Sequence, residues 1–523
     1  MKIAGFNSGH DSAYGVIKDG VPVVHNEIER FNRIKDSGGD AMKFLFDTES
    51  YDDIDYFTHC LGSKMSGKYK PSFDKCIELS TKWIRPGHHQ SHAANAFYSS
   101  EFEEALIVTM DGGGVDASVT SSYTGRTCFT VWSGKDNKIT ELEIWPENKL
   151  HLGGIWSFCT RKIFGLRSWS PSQQGTVMGM AALGDANKYM EHFKYMYPPQ
   201  NGQKLPDEWS KLASLAKSSE QEMFNIAASL QRTTELVLKE QFDRLVGLHK
   251  PKNICLSGGV SLNCVFVGKL FDWYPGINVF CDPIPYDAGL ALGSARYIYH
   301  DILDYPRVYN SVQNATPYLG KTYNKKEVTE AIDSFIMNDA MNIESADDDF
   351  IIDAMMNKKI VSVFGGGSES GRRALGNRSI LADPRSKENK EIVNEKVKHR
   401  QWFRPFAPSV LREHVGEWFE HDVDSPYMSV AVKWKEDKVD KVPAVVHFDN
   451  SARLQTVKKE DNEWYHSFIT KFYEKTGVPL VLNTSFNDRE PIVETPKHAI
   501  STFWGTDIDY LYFRDYGIVI SKK

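Results

Sequence analysis

Residues 1–28 read Met1-Lys2-Ile3-Ala4-Gly5-Phe6-Asn7-Ser8-Gly9-His10-Asp11-Ser12-Ala13-Tyr14-Gly15-Val16-Ile17-Lys18-Asp19-Gly20-Val21-Pro22-Val23-Val24-His25-Asn26-Glu27-Ile28. The apolar run Lys2–Phe6 predicts a buried strand and Asn7–Ser12 a polar turn. Ala13–Ile17 and Val21–Ile28 predict two more strands around Lys18-Asp19-Gly20. A strand, a small-residue turn carrying Asp and then a hairpin suits an approach to phosphate, because glycine lets the backbone come close. The pattern returns further on, with Ala105–Met110 as a strand, Asp111-Gly112-Gly113-Gly114 as a glycine-rich turn and Ala117–Ser122 as a returning strand. Two such units predict an α/β chain whose first domain is an internally duplicated, ATPase-type fold.

Working outward, Ser219–His249 has helical periodicity, with Met223, Ile226, Leu230, Leu236 and Leu245 among its apolar positions. A strand at Asn253–Leu256, the turn Ser257-Gly258-Gly259-Val260 and a helix from Leu262 follow. The N–H groups that open such a helix can face an anion. Ile277–Cys281 reads as a strand and Ala288–Ala295 as a small-residue helix. Tyr305–Tyr323, with Pro306, Pro317 and Gly320, is the linker candidate; Lys325–Met356 reads as helical and Lys359–Phe364 as a strand into Gly365-Gly366-Gly367.

The chain has 523 residues, 41% hydrophobic and 25% charged, which fits globular cores and excludes disordered and fibrous classes. No apolar run is long enough for a membrane helix, so no membrane partner is expected. Met1–Phe6 has no leader-like apolar region, and the seven cysteines form no CxxC pair. A reduced, cytoplasmic protein is therefore expected. A net charge of -7 disfavours a dedicated nucleic-acid binder while leaving room for a local basic groove.

Two sets of residues carry chemistry. In Gly87-His88-His89-Gln90-Ser91-His92-Ala93-Ala94, a helix covering the histidines would put His88 and His92 at i and i+4 on one face. Two imidazoles with carboxylates suit iron or a similar divalent ion, and Asp111 and Asp287, each following a strand, are the candidates to join them. The alternative is histidines that cap or pack the helix. Asp11, Asp111 and Ser257-Gly258-Gly259 form a further constellation able to position ATP with Mg2+, with structural turns as the alternative.

The C-terminal third holds Gly371-Arg372-Arg373-Ala374-Leu375-Gly376-Asn377-Arg378, Lys398-His399-Arg400, Phe403-Arg404-Pro405-Phe406, Ser451-Ala452-Arg453 and Asn483-Thr484-Ser485-Phe486-Asn487. A guanidinium among apolar residues is costly without an anion, so the set favours a small, multiply charged ligand. Structural salt bridges remain the alternative for Arg372 and Arg412.

Together these motifs resemble the NodU/CmcH/TobZ family of O-carbamoyltransferases. The resemblance runs from the Gly-His-Asp turn through HHQSHAA, MDGGG, VMGMAALGD, LSGGVSLNC, YDAGLALGSA, RRALGNRSILADPR, KHRQWFRPFAPSVL, SARLQTV and TGVPLVLNTSFN to EPIVETP. It implies an N-terminal actin-like ATPase domain related to threonylcarbamoyl-transfer proteins, over residues 1–340, and a C-terminal YrdC-like domain over 341–523. It further implies that carbamoyl phosphate and ATP form a carbamoyl-adenylate, whose carbamoyl group then passes to an acceptor hydroxyl. By motif, His88, His92, Asp111 and Asp287 match the iron ligands. Arg373, Lys398, Arg404, Arg453, Asn483 and Ser485 match the carbamoyl-phosphate and adenylate site. Asp11, Gly112, Gly113, Ser257, Gly258, Gly259 and Asn263 are the nucleotide-contact candidates of the first domain. Lys398 and Arg404 are the catalytic cations, and His10 is the candidate base for the acceptor proton.

Three departures stand out. Glu-Gly-Lys is replaced by Gln174-Gly175-Thr176, Gly-Pro-Arg by Gly371-Arg372-Arg373, and a glycine before Glu-Pro is missing at Arg489-Glu490. The acceptor stays open between a small molecule or sugar and a 5-hydroxymethylcytosine-type base in nucleic acid. Lys64, Lys68 and Lys70 near Tyr69, and Arg161, Lys162 and Arg167 near Trp156 and Trp169, are where a nucleic acid could be held. A homodimer is compatible with the resemblance. The competing functions are an ATPase or kinase of the same fold and a non-catalytic module of an RNA-modification complex.

Overall fold

The protein is described by a computed structural model covering residues 1–60, 69–79, 84–116, 126–147, 149–166, 171–193 and 207–523. It is a mixed α/β chain of two compact units. The first unit comprises Met1–Ile28 and Asp36–Ala315, and the second Glu29–Lys35 and Thr316–Lys523. Among the described residues, no helix is long and apolar enough to cross a membrane.

The first unit holds two sheets. One is built from β1 (Lys2–Asn7), β2 (Ala13–Lys18), β3 (Val21–Glu27) and β4 (Tyr56–His59), in the order β3-β2-β1-β4. The other has β5 (Glu104–Val115), β6 (Arg126–Lys135), β7 (Lys138–Pro146), β8 (Asn253–Ser257) and β9 (Asn278–Cys281), in the order β7-β6-β5-β8-β9. In both, a strand pairs antiparallel with the hairpin that follows it and parallel with the strand arriving from the far side. Shared order and sense make the unit internally duplicated, as the two Asp/Gly strand units predict. Phe6, Tyr14, Leu45 and Phe57 pack the first sheet's core.

The second unit is organised on β10 (Met341–Ser345), β11 (Val361–Phe364), β12 (Arg378–Ala382), β13 (Ala407–Leu411), β14 (Val430–Lys433), β15 (Ser451–Val457), β16 (Leu480–Ser485), β17 (Tyr510–Phe513) and β18 (Ile518–Lys522). Their order is β10-β18-β17-β11-β12-β16-β13-β15-β14. β12 and β13 flank β16 antiparallel and β15 lies parallel to β13. The starts of β12, β13 and β15 therefore gather at the same sheet end as the finish of β16.

Two local expectations are corrected. Asp111-Gly112-Gly113-Gly114 is not a turn, because β5 continues to Val115 with a register shift between Met110 and Gly114. Ala117–Ser122, expected as a returning strand, lies outside the described residues, and Arg126–Lys135 pairs antiparallel with β5. Lys325–Met356 is not one helix but helix Lys325–Asp333, strand β10 and helix Asp348–Met356. Pairing of Met341–Ser345 with Ile518–Lys522 claims the middle, a long-range contact that helical periodicity does not register.

Candidate active site

The three histidines sit at the start of helix His88–Ser99, every residue of which is buried. Gln90 Oε1 reaches back to accept from the Gly87 N–H, satisfying one donor of the first turn. Asp116 completes the cap: its Oδ1 accepts from His89 N at 2.7 Å and Gln90 N at 3.3 Å, and its other oxygen accepts from Thr127 Oγ1. His89 points away from its neighbours' task. Its ring bonds Thr109 Oγ1 and the Thr127 carbonyl, and burial pushes its pKa down to about 4, leaving a neutral structural imidazole. His88 and His92 share a face with ring centroids 4.9 Å apart.

That face meets two carboxylates. His88 Nε2 lies 3.0 Å from Asp111 Oδ2 and 3.7 Å from Asp287 Oδ1, and His92 Nε2 lies 3.7 Å from Asp287 Oδ1. One ligand atom from each of the four residues falls within 4.8 Å of all the others. The glycine run explains the close approach. A Cβ at Gly114 would stand 2.0 Å from the His88 ring, so only glycine lets the histidine lie on the strand. His10 joins the rim, with Nδ1 3.3 Å from Asp287 Oδ2 and 3.5 Å from Asp11 Oδ2 and a side chain 66% exposed.

The groups behind the cluster fix its chemistry. Ser257 Oγ donates to Asp282 Oδ2 and lies 3.3 Å from His92 Nδ1, so it is left to accept from Nδ1–H. His92 Nε2 then carries the lone pair, and it is buried without a hydrogen-bond partner. An orphan imidazole nitrogen facing two carboxylates fits a cation better than it fits any arrangement of the protein alone. Burial opposes a charged His88, yet Asp287 and Asp111 outweigh it and raise its pKa well above the ordinary value. Two nitrogens and two carboxylate oxygens suit Fe(II) or another first-row divalent metal better than Ca2+.

The remaining first-unit candidates fall into place around this cluster. Gly259 N donates to Asp111 Oδ1 at 2.9 Å, and Ser257 supports His92, so both spend on the cluster the groups that the sequence suggested for phosphate. Gly258 turns the chain at φ +89, where a Cβ would strike the Met110 carbonyl. The helix expected from Leu262 begins at Cys264, after a 3-10 turn, and Asn263 caps it while bonding Gln231. Asp11 is buried with left-handed φ 51 and its carbonyl is held by Asn7. Gly112 borders open space, and the carbonyls of Gly112 and Gly113 face His151 and Arg126. Lys64, Lys68, Arg167 and Trp169 lie outside the described residues. Lys70 pairs with Asp74, and Tyr69 and Trp156 are buried, with Trp156 bonded to Thr234, so neither ring is presented for base stacking.

In the second unit the arginine motifs converge through sheet topology. The loop with Arg373 leads into β12, the loop with Lys398, Arg400 and Arg404 leads into β13, Arg453 lies early in β15, and Asn483 and Ser485 end β16. Ala407 stands level with Asn483 across the ladder. Burial pushes Arg404 down to about 10 with Arg453 adding to the shift, and holds Arg400 well below the guanidinium range beside Arg404 and Arg453. Arg400 donates to the neutral acceptors Asn394 Oδ1 and Pro405 O. Crowded, half-buried cations are what an anion relieves.

Around them the scaffold is tightly bonded. Glu369 Oε1 accepts from the N–H groups of Leu375, Asn377 and Arg378, pinning the Arg373 loop from one side. Asn483 Nδ2 donates to the Ala374 carbonyl from the other side and also to Ser409 and Gln455. Lys398 Nζ is buried against the carbonyls of Ser485 and Asn487 and the Asn487 side chain. Its ammonium thus ties down the Ser485 loop. Sequence reasoning passed over Asp116, Asp282 and Glu369, and placed Arg400 in the anion-binding set without a role of its own. Arg400 alone had a visible signal, in the Lys398-His399-Arg400 run.

Residues 75–296 match the Carbamoyltransferase N-terminus family and residues 352–520 the Carbamoyltransferase C-terminus family. Nodulation protein NolO of Bradyrhizobium diazoefficiens is 34% identical over 81% of this chain and 77% of its own length. The chain belongs to the carbamoyltransferase family. Nodulation protein NolNO of Sinorhizobium fredii is 32% identical to this carbamoyltransferase, over 98% of this chain and 79% of its own. Among solved structures, HypF of T. kodakarensis aligns over 58% of this chain and 48% of its own with a TM-score of 0.35 and 13% identity. The enzyme is thus a transferase of carbamoyl groups, with a histidine–aspartate cluster in one unit and an arginine cluster in the other.

Proposed function

We propose that this enzyme converts carbamoyl phosphate and ATP into a carbamoyl-adenylate at the second-unit arginine cluster and transfers the carbamoyl group to an acceptor hydroxyl at the first-unit cluster. The carrying observation is the crowding of the half-buried Arg400, Arg404 and Arg453, where an anion removes the cost of like charges. In balance, water releases phosphate from carbamoyl phosphate, a carbamate oxygen attacks the α-phosphorus of ATP, and pyrophosphate leaves. The acceptor oxygen then attacks the carbamoyl carbon, AMP leaves, and the hydroxyl proton goes to a base.

Arg373, Arg404 and Arg453 bind the phosphate oxygens, with Arg400 behind them, while Lys398, Asn483 and Ser485 hold the loops in register. In the first unit His88, His92, Asp111 and Asp287 would hold a divalent metal, which supplies Lewis-acid polarisation and an anchor for anionic oxygens. His10, exposed at the rim and oriented by Asp287 and Asp11, takes the acceptor proton. The acceptor is a small molecule, a sugar or a hydroxymethylated base, and ATP enters with Mg2+.

Pyrophosphate release from ATP tests the reading. Release that requires carbamoyl phosphate and falls by about a thousandfold in Arg404→Ala is the expected result. Release indifferent to carbamoyl phosphate, with and without candidate acceptors, would overturn it in favour of an ATPase of the same fold.

A further inference from the structure

The chain leaves the first unit after Ile28, runs through the second as Glu29–Lys35, and returns at Asp36. This short excursion touches both loops of the arginine site. Arg30 is 3% exposed, and its Nη2 donates to the carbonyls of Glu369, at 3.1 Å, and of Gly371. Those carbonyls open the Gly371–Arg378 loop, the same loop whose N–H groups Glu369 gathers through its carboxylate. Arg33 holds the other loop: Nη1 donates to Ile492 O at 2.7 Å, Nη2 donates to Pro491 O at 2.5 Å, and Glu490 Oε1 lies 3.5 Å away.

From Glu490 the connection continues inward. Its carbonyl accepts from Asn487 Nδ2 at 2.6 Å, and Asn487 Oδ1 in turn accepts from Ser485 Oγ and Lys398 Nζ. Its carboxylate accepts from the N–H groups of Asp488 and Arg489 and from Thr502. Glu490, which belongs to the Glu-Pro pair of the family pattern, both shapes the turn and meets Arg33. Backbone geometry adds a second observation. Arg33 sits at φ 63, a left-handed conformation that is unfavourable for a non-glycine residue. An arginine in that place is explained by what its guanidinium holds.

We infer that Glu29–Lys35 is a positioning clamp of the second-unit site: Arg30 fixes the Arg373 loop and Arg33 the Ser485 loop. Neither arginine touches substrate; they act through Glu369, Gly371 and the 488–492 turn. The Carbamoyltransferase C-terminus match, residues 352–520, therefore does not contain the whole of its own site's support. In its activity arm the inference rests on the adenylation reading above.

Amide hydrogen exchange on the full-length protein, without substrate, tests the clamp directly. Arg33→Ala is expected to speed exchange about tenfold across 485–492 and leave 371–378 unchanged, with Arg30→Ala giving the reverse. Arg33→Lys keeps the charge, is compatible with folding, and loses the two-carbonyl fork, so an intermediate rise at 485–492 is expected. Unchanged loops, or a uniform rise that includes the β10–β18 pairing, would overturn the clamp whatever the enzyme's chemistry. In pyrophosphate release, Arg33→Ala is expected to raise KM for carbamoyl phosphate about tenfold with kcat changed less than about threefold. An equal fall of kcat with unchanged KM overturns the positioning role. If wild-type protein shows no carbamoyl-phosphate dependence, the adenylation reading fails and exchange alone decides the clamp.

Discussion

The two clusters solve opposite electrostatic problems. In the first unit His88 and His92 stand among Asp111 and Asp287, so the protein brings imidazole nitrogens and carboxylates together and orients them with Ser257 and Gly259. In the second unit burial, with Arg404 and Arg453 beside it, holds the Arg400 pKa down, burial with Arg453 lowers that of Arg404, and many of the polar atoms that hold the site in shape are neutral carbonyls and amides. The first is preorganised to receive a cation with little rearrangement. The second gathers cations, so an anion bound there is expected to contribute stability as well as substrate. Two consequences can break this contrast.

The largest effect is expected from His92→Ala. Loss of an orphan nitrogen in a four-donor set should abolish stoichiometric metal binding and lower carbamoyl transfer about a thousandfold. Carbamoyl-phosphate-dependent pyrophosphate release should persist within about threefold, because the arginine cluster is untouched. Metal analysis beside the two half-reactions checks it, and joint loss of both would show that the two sites do not work separately. Ser257→Ala should act in the same direction but less strongly. Without its hydroxyl the His92 tautomer is no longer set, and metal affinity is expected to fall about 10–100-fold, read by competition with a chelating dye.

Arg400→Met sharpens the other half. Removing one crowded cation while keeping its volume should stabilise the substrate-free protein by about 1 kcal/mol and weaken inorganic phosphate binding about tenfold. Thermal melting with and without phosphate reads both signs at once. A destabilised apo protein would mean that Arg400 is anchored by its bonds to Asn394 and Pro405 more than it is strained by its neighbours.

What was legible in the sequence follows the same division between local and long-range causes. The hairpin of β1 to β3 was readable because each strand is bounded by turn residues, and the HxxxH helix because small residues follow it. Asp287 could be nominated from its place after a strand, and Asp111 from the apolar run that precedes it, although it lies within β5. Lys398 could not be assigned from its charge, because only the folded loops show four oxygens closing over its ammonium. Nor could the glycines of β5 be told from a turn, since the His88 ring that demands Gly114 lies 26 positions away in the chain. Strand β10 is decided by its partner β18, at the other end of the second unit's sequence.

Asp116→Asn is the smallest predicted change and the one that tests whether the first cluster is held as rigidly as its bonds imply. The carboxylate caps His89 and Gln90 and receives Thr127, all behind the metal-facing side of the helix. An amide keeps the volume and one acceptor oxygen but cannot accept on both sides, so about 1 kcal/mol of helix capping should be lost, a fall in melting temperature of roughly 2 °C. His88 and His92 lie on the opposite face and keep their partners, so metal affinity should move by less than about threefold. If affinity instead falls as far as in Ser257→Ala, the cap is part of what aims the imidazoles, and preorganisation of the first cluster extends one layer further from the metal-facing atoms than its direct bonds require.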